Sequence, residues 1–423
     1  MTTTSLDPTV RPDWQPPRDT DQARLPWRYG IATALGVLLW LGAYLALVGV
    51  LVPARIAEIS PDNKATALAT MSTVAMIVST IANILWGALS DRTRSRFGRR
   101  TPWLIAGSIG SCASILVWSQ VDTIALIITM AAVFQIFLNM IVAPLLVVLS
   151  DRVAPKFRGT MSAVYGFGYT IGLYGGQVVA SQFIDVPKTG FLVMAVATLL
   201  AGPVAALILR EKSSKDMPVD RLTWAMFSDT FAFPTHNARD YYLALFGKLL
   251  MIAAKFMISG YMLYIVTDYL LLEGDAVSGK IAQVNLILMV TALLFGVVAG
   301  PLSDRLKRRK LPVVVAGLFI AVGTFIPFLS NEPWTLVAFA LVAGVGMGSF
   351  TSVDQALNLE VLPDPQRAAK DLGVLNLANN GGQVIGPVLA AAVVSMGGYH
   401  LVFLTSAIVA VLGTVLIALI RRR

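Results

Sequence analysis

GALSDRTRSRFGRRTPW, residues 87 to 103, is a short polar stretch between two long apolar ones. It holds one carboxylate, Asp91, and five arginines: Arg92, Arg94, Arg96, Arg99 and Arg100. So basic a loop between two apolar helices is expected on the cytoplasmic side of a membrane, because Lys and Arg near the ends of spans are retained there during insertion. The stretch therefore predicts both a membrane protein and its orientation.

The composition excludes an ordinary soluble protein. Of 423 residues, 56% are hydrophobic and 13% are charged, whereas soluble domains carry about a quarter charged residues. The net charge of +9 comes from basic residues in short loops, which indicates membrane topology and no nucleic-acid partner. One cysteine, Cys112, forms no internal disulfide, and the two histidines fall in loops, so we expect no metal site and no cofactor.

Apolar segments long enough to cross a bilayer, which takes roughly 20 residues, recur along the chain. We number them 1 to 12, at about 28–52, 67–90, 102–121, 123–150, 159–183, 189–210, 241–271, 278–303, 311–330, 334–359, 370–396 and 399–420. The fold class predicted is an all-α membrane protein with twelve transmembrane helices. An even number of spans places both termini on one side, and the basic loops predict that this side is the cytoplasm.

The chain divides into four parts by composition. Residues 1–27 carry five prolines and are predicted to be a disordered cytoplasmic tail with no signal peptide. Residues 28–210 form an N-terminal six-helix half and residues 241–423 a C-terminal one with a short basic tail. The polar residues 211–240 between them are predicted to be a cytoplasmic linker.

The two halves repeat one another. The sequence GALSDR at 87–92 returns as GPLSDR at 300–305, and GGQV at 175–178 returns at 381–384. Echoes in the same order predict two pseudo-symmetric halves that arose by duplication.

Residues Gly87, Asp91, Gly98, Arg99 and Arg100 match the pattern G-x-x-x-D-x-x-x-x-x-x-G-R-R. This stretch resembles the loop between the second and third helices of major facilitator transporters, and the ending RRTPW resembles the glycoside, pentoside and hexuronide branch with its sucrose-type carriers. The resemblance implies the major facilitator fold and transport of a small sugar or glycoside-like solute by alternating access, with proton-coupled symport expected.

In the family that the loop resembles, the matching residues close the cytoplasmic side in the outward-facing state. That role carries over to a predicted cytoplasmic latch, made of Gly87, Asp91, Arg92, Gly98, Arg99, Arg100, Arg158, Asp304, Arg305 and Arg367. The alternative is that Asp91 caps its own helix and that the arginines set only the topology.

Polar side chains within the apolar segments are costly against lipid and are expected to face a path through the bundle. Amides in segment 11 recur at spacings of three or four, on one helical face. The predicted path comprises Trp40, Tyr44, Asn139, Thr170, Tyr174, Gln177, Lys255, Asp354, Asn358, Asn376, Asn380 and Gln383. The alternative is that these groups hydrogen-bond between helices.

Lys255 and Asp354 are the charges placed deepest by this topology. We interpret them as a pair that couples transport to protons, with Asp354 as the carrier, and the alternative is a static ion pair between segments 7 and 10. Lys248 is assigned to packing or topology. Sodium is not expected to drive transport, because Asn83 and Ser79 stand where melibiose-type relatives have carboxylates.

Two other functions stay open. One is proton-coupled export of a metabolite or drug, although drug antiporters of the superfamily carry a Gly-Pro and then a Gly-Gly in segment 5, and here Leu173 follows Gly172. The other is a membrane sensor or enzyme, which the lack of clustered nucleophiles and bases disfavours. The expected partners are a small-molecule substrate, protons and the lipid bilayer, and we expect a monomer.

Overall fold

The computed structural model describes residues 17–217, 238–306, 310–362 and 368–421. In these ranges the chain is helical, with twelve long helices. We label them α1 (Trp27–Ile59), α2 (Lys64–Arg92), α3 (Thr101–Trp118), α4 (Ile124–Arg152), α5 (Pro155–Ser181), α6 (Pro187–Leu209), α7 (Arg239–Ser259), α8 (Asp275–Leu306), α9 (Lys310–Leu329), α10 (Pro333–Glu360), α11 (Ala368–Gly397) and α12 (His400–Ala418).

Eleven of the described helices are long and apolar enough to cross a membrane. The twelfth, α5, has 27 residues and contains several glycines and tyrosines, which lower its mean hydropathy. The predicted all-α fold with twelve helices is confirmed. Segment 7 is interrupted, because α7 ends at Ser259 and the chain continues in a short helix, Met262–Tyr264, and a π-helical turn, Ile265–Tyr269.

Glycines set the closest helix contacts, and they do so at repeat-related positions. A Cβ on Gly176 of α5 would overlap the backbone of Gly42 in α1. The repeat-related Gly382 of α11 packs on α7, where a Cβ would lie 2.6 Å from Cβ of Ile252. Only a residue without a side chain permits such approaches. The fifth helix of each half thus lies against the first helix of the same half, as the duplication predicts.

The halves meet where α2 packs on α11 and α5 packs on α8. We call one end of the bundle the basic face, which carries the loops at 93–100 and 153–154 and the chain after α6. The opposite end is the far face, which carries the loops at 60–63, 119–123 and 270–274. Because the helices alternate in direction, every second connection lies on the same face.

The terminal tail and the linker are described only in part. Within the predicted tail, the Gln22 side chain donates to the Arg152 carbonyl oxygen over 2.8 Å and accepts from the Ala154 N–H over 2.9 Å. Residues 17–26 are therefore attached to the α4–α5 loop, which differs from the disorder predicted for them. Most of the predicted linker lies outside the described residues.

Candidate functional site

A cavity lies between the halves, lined by residues of α1, α2, α5, α7 and α11. Its volume of about 50 Å³ admits a few water molecules and no larger solute. Among the predicted path residues, the structure brings together five at this cavity: Tyr44, Tyr174, Gln177, Lys255 and Gln383. Much of the remaining wall is apolar, and it includes Leu68, Met71, Met76, Leu173 and Phe256.

The cavity receives one glutamine from each half. Gln177 of α5 and Gln383 of α11 occupy the same place in the repeated GGQV sequence, and both line the cavity. Gln177 donates to the Leu173 carbonyl oxygen over 3.2 Å, and its buried Oε1 has no hydrogen-bond partner among the described residues. A Cβ on Gly49 of α1 would lie 2.9 Å from this oxygen, so a glycine there leaves room for the glutamine.

Lys255 carries the charge of the cavity. Its Nζ lies 5.6 Å from the ring centroid of Tyr174, across the interface between the halves, and 5.7 Å from that of Phe256. Among the described lining residues it is the one ionic side chain. The Tyr174 hydroxyl in turn lies 3.3 Å from Sδ of Met347 in α10, and this contact also joins the halves.

The predicted pairing of Lys255 with Asp354 is wrong. The Asp354 carboxylate binds Nζ of Lys248 at 2.7 Å and accepts a hydrogen bond from Asn358 over 3.0 Å. The depths of the residues explain this. Asp354 lies six residues before the end of α10, about 9 Å from the basic face. Lys248 lies nine residues after the start of α7, at a depth of about 14 Å, whereas Lys255 on the same helix is about 24 Å deep.

Other predicted path residues lie away from the cavity wall. Asn139 of α4 donates to Ser79 over 3.0 Å and accepts from Asn83 over 3.1 Å, so α2 and α4 are joined by neutral groups where a sodium site would need carboxylates. Asn380 donates to Thr80 over 3.3 Å, linking α11 to α2 across the halves. These contacts fit the interhelical alternative.

Three path residues remain. Trp40 is buried in the packed core of the N-terminal half, and Thr170 of α5 is partly buried. The side chain of Asn376 lies outside the part that the structure describes.

On the basic face, four ionic groups form one cluster. Asp151, at the end of α4, accepts from Arg99 over 2.6 Å and also from Arg100, while Asp91 lies 3.2 Å from Arg100 and 3.9 Å from Arg99. The Arg100 side chain is 4% exposed and that of Asp91 is 56% exposed. All four belong to the N-terminal half, so this cluster holds α2, α3 and α4 together.

Glu211, just after α6, completes the basic-face cluster. Its carboxylate accepts from the backbone N–H groups of Arg100 and Thr101 over 2.9 and 2.8 Å, which caps the first turn of α3. Gly98 adopts a φ of 92°, and a Cβ there would collide with Glu211. The matched glycine is therefore required by both its backbone and its neighbour.

Two further arginines of the predicted latch contact backbone carbonyl oxygens near their own helices. Arg92 donates to the Ala88 carbonyl oxygen, and Arg158 donates to the carbonyl oxygens of Val153 and Ser150, so both support local helix ends. Arg305 lies at the last turn of α8. The side chain of Asp304 and the whole of Arg367 lie outside the described residues.

On the far face, direct polar contacts join the halves. Lys64 at the start of α2 pairs with Asp268 at 2.7 Å. The hydroxyls of Tyr261 and Tyr264 donate to the carbonyl oxygens of Ala65 and Pro53 over 2.8 and 2.9 Å. Burial, together with the neighbouring Asp268, raises the pKa of the Tyr399 hydroxyl in the α11–α12 loop. The far face is therefore closed in this structure.

The site residues predicted from the sequence did not include Asp151, Glu211, Lys248 or Asp268. One signal was present for Asp151, since Ser150-Asp151-Arg152 repeats the Ser-Asp-Arg of residues 90–92. For Lys248 the signal was depth, because it lies closer to the level of Asp354 than Lys255 does. Glu211 and Asp268 carry no motif, and only the folded chain brings them to their partners.

The profile of the Major Facilitator Superfamily matches residues 32–279 and 244–423. Together these ranges span nearly the whole chain. The chain therefore belongs to the major facilitator superfamily. It is a membrane transporter and not an enzyme, and the predicted fold of two six-helix halves is confirmed.

Individual proteins resemble this chain to different extents. The multidrug resistance protein MdtG of Escherichia fergusonii is 25% identical over 414 residues, which cover 93% of this chain and 94% of that protein. The bacillibactin exporter of Bacillus subtilis is 31% identical over 121 residues, 27% of this chain and 30% of that protein. In fold, the crystal structure of the human organic anion transporter MFSD10 (TETRAN) is similar at a TM-score of 0.66 and 15% identity, covering 93% of this chain and all of that one.

Proposed function

We propose that the protein exports a small amphipathic organic solute in exchange for protons, by alternating access around the central cavity. The observation that carries this proposal is the character of the cavity wall, where methionine, leucine and phenylalanine side chains surround a few polar groups. Apolar walls with few polar groups suit amphipathic ligands. A sugar, with a hydroxyl on nearly every carbon, leaves many groups unpaired in such a site.

The relatives support export over the sugar symport that the RRTPW ending suggested. Similarity to the multidrug resistance protein covers nearly the full length of both chains, whereas the resemblance to sugar carriers rests on the five residues RRTPW. The drug-antiporter signature expected in α5 is absent, but in this chain Gly172 and Gly176 already provide the close α1–α5 packing.

For proton coupling, we propose that Asp354 carries the proton and that Lys248 is its ionic partner. The pair is buried, with side chains 11% and 4% exposed, so protonation of Asp354 leaves Lys248 as an uncompensated cation. Such a change favours a conformation in which the lysine meets water or another acceptor. Protonation of Asp354 would thus switch α7 and α10 between two arrangements. Because Lys255 of the cavity wall is also on α7, the switch can reach the cavity.

We also propose that the basic face and both termini of the chain are cytoplasmic. The basic face holds Arg99, Arg100, Arg152 and Arg210, which supports a cytoplasmic basic face and cytoplasmic termini. The cavity is too small for an organic solute in this structure, so we propose that the helices separate on the cytoplasmic side to admit the solute while the far face stays closed.

Transport by reconstituted vesicles tests the proposal. Purified protein in liposomes of known orientation is given a pH gradient, and the movement of ethidium, an aromatic carboxylate such as 4-phenylbutyrate, and radiolabelled sucrose is followed. We expect accumulation of at least one amphipathic compound against its gradient, driven by protons and indifferent to sodium. Accumulation of sucrose alone contradicts the proposal.

Asp354→Asn separates coupling from binding. The amide keeps the size of the side chain but cannot carry the proton, so the variant is expected to lose pH-driven accumulation and to keep exchange of solute between equal pools. A variant that still accumulates solute with normal pH dependence shows that another group carries the proton.

A further inference from the structure

The charge of Lys255 is not balanced within the cavity. The described residues that line the cavity include no carboxylate, and Asp354, the carboxylate that the sequence predicted as the partner of Lys255, is bound to Lys248. A cation in a mostly apolar site is unfavourable unless a partner offsets its lost hydration. Because the described lining residues supply no such partner, a bound molecule can supply it.

The aromatic rings beside Lys255 hold it loosely. Attraction between a cation and a ring extends to about 6 Å from the ring centroid, and the distances to Tyr174 and Phe256 are 5.6 and 5.7 Å. Contacts near this outer limit keep the ammonium in the cavity without saturating its three N–H groups. The ammonium therefore remains able to donate to a stronger acceptor.

A second group in the same wall also lacks a partner. Oε1 of Gln177 is buried, and no described residue donates to it. Gln177 is 3% exposed, and the position of its side chain depends on the space that Gly49 leaves. A buried acceptor with no donor among the described residues favours a ligand with a hydroxyl or N–H group.

We propose that the cavity, enlarged when the helices separate on the basic face, binds an organic anion, with a carboxylate, phosphonate or sulfonate group on Lys255, a hydroxyl or N–H group on Gln177, and an apolar body against Leu68, Met71 and Leu173. This substrate class rests on the transport function proposed for the same cavity. Each part of the ligand offsets one unsatisfied part of the wall. An organic cation is repelled by Lys255, and a neutral solute leaves its charge unpaired.

Binding to the full-length protein in lipid nanodiscs tests the substrate class. Three probes share one apolar body: 4-phenylbutyrate is an anion, 4-phenylbutyramide is neutral and 4-phenylbutylamine is a cation. We expect the wild type to bind the carboxylate roughly tenfold or more tightly than the amide, as for a hydrogen bond between charged groups, and the amine most weakly.

Lys255→Met keeps the length of the side chain and removes its charge, so we expect it to bind the carboxylate and the amide equally. Lys255→Arg restores a cation and with it the preference for the carboxylate. Lys280→Met is the matched control, because Lys280 lies near the start of α8 and donates to Gln283, and we expect it to match the wild type.

The outcomes separate this inference from the transport proposal. The anion site is wrong if the wild type binds none of the probes, binds all three alike, prefers the amine, or keeps its carboxylate preference in Lys255→Met. If vesicles still accumulate ethidium under a pH gradient in those cases, proton-driven export stands without an anion site. If the carboxylate preference holds but no compound accumulates, the anion site stands and coupled export fails.

Discussion

Lys248 and Lys255 lie on the same helix, two turns apart, yet they differ in what surrounds them. Lys248 is buried against a carboxylate at 2.7 Å, whereas Lys255 faces a cavity with two aromatic rings beside it. The first charge is compensated by the protein itself and the second is left to a ligand. The role of a membrane lysine, structural or binding, therefore depends on its partner as well as on its depth.

Removal of each lysine in turn is expected to affect stability very differently. Lys248→Met leaves Asp354 as an unpaired buried carboxylate, which costs about 3–5 kcal/mol and lowers the temperature of unfolding in detergent. Lys255→Met removes no ion pair and is expected to change stability by less than about 1 kcal/mol. Equal losses of stability in the two variants contradict the distinction.

The double variant Lys248→Met with Asp354→Asn isolates the origin of that loss. Without either charge, Asn358 can hydrogen-bond the new amide, and we expect most of the stability of the wild type to return. If the double variant is as unstable as Lys248→Met alone, the loss arises from packing of the lysine stem and not from an uncompensated carboxylate.

The basic-face cluster extends the comparison to carboxylates of different burial. Asp151 is 20% exposed and binds two arginines, whereas Asp91 is 56% exposed. We expect Asp151→Asn to cost about 1–3 kcal/mol, since the buried Arg100 loses its main acceptor, and Asp91→Asn to cost less than about 1 kcal/mol. Thermal unfolding of the two variants measures the difference, and a larger effect for Asp91→Asn reverses the assignment.

The smallest expected effect concerns the ion pair between the halves on the far face. Lys64 and Asp268 are partly exposed, so Lys64→Gln is expected to alter stability by less than about 1 kcal/mol. The substitution weakens closure of the far face. In a background where Cys112 is replaced by alanine, we expect it to raise the labelling of a cysteine introduced at Ser72 severalfold. Labelling that stays at the level of the same background with Lys64 shows that the tyrosine contacts alone keep that face closed.

The sequence predicted several of the residues that line the site, but it did not predict which side chains contact one another. The repeated GGQV sequence placed Gln177 and Gln383 in equivalent positions, and both line the cavity because duplicated halves bring equivalent residues to their common interface. The depth of Lys255 also predicted a membrane charge near the centre. Its supposed partner was wrong, although depth along the two helices already favoured Lys248 for Asp354.

The twelve helices, the duplication and the superfamily can be read from the sequence, because span length, loop charge and repeated motifs are local properties of the chain. The partners of the charged side chains become visible in the folded protein. Asp354 met Lys248, Glu211 capped α3, and Asp268 paired with Lys64 across 204 residues of chain. Such pairings depend on the rotation and the depth of each helix against its neighbours, and these follow from side-chain packing that no single segment of sequence contains.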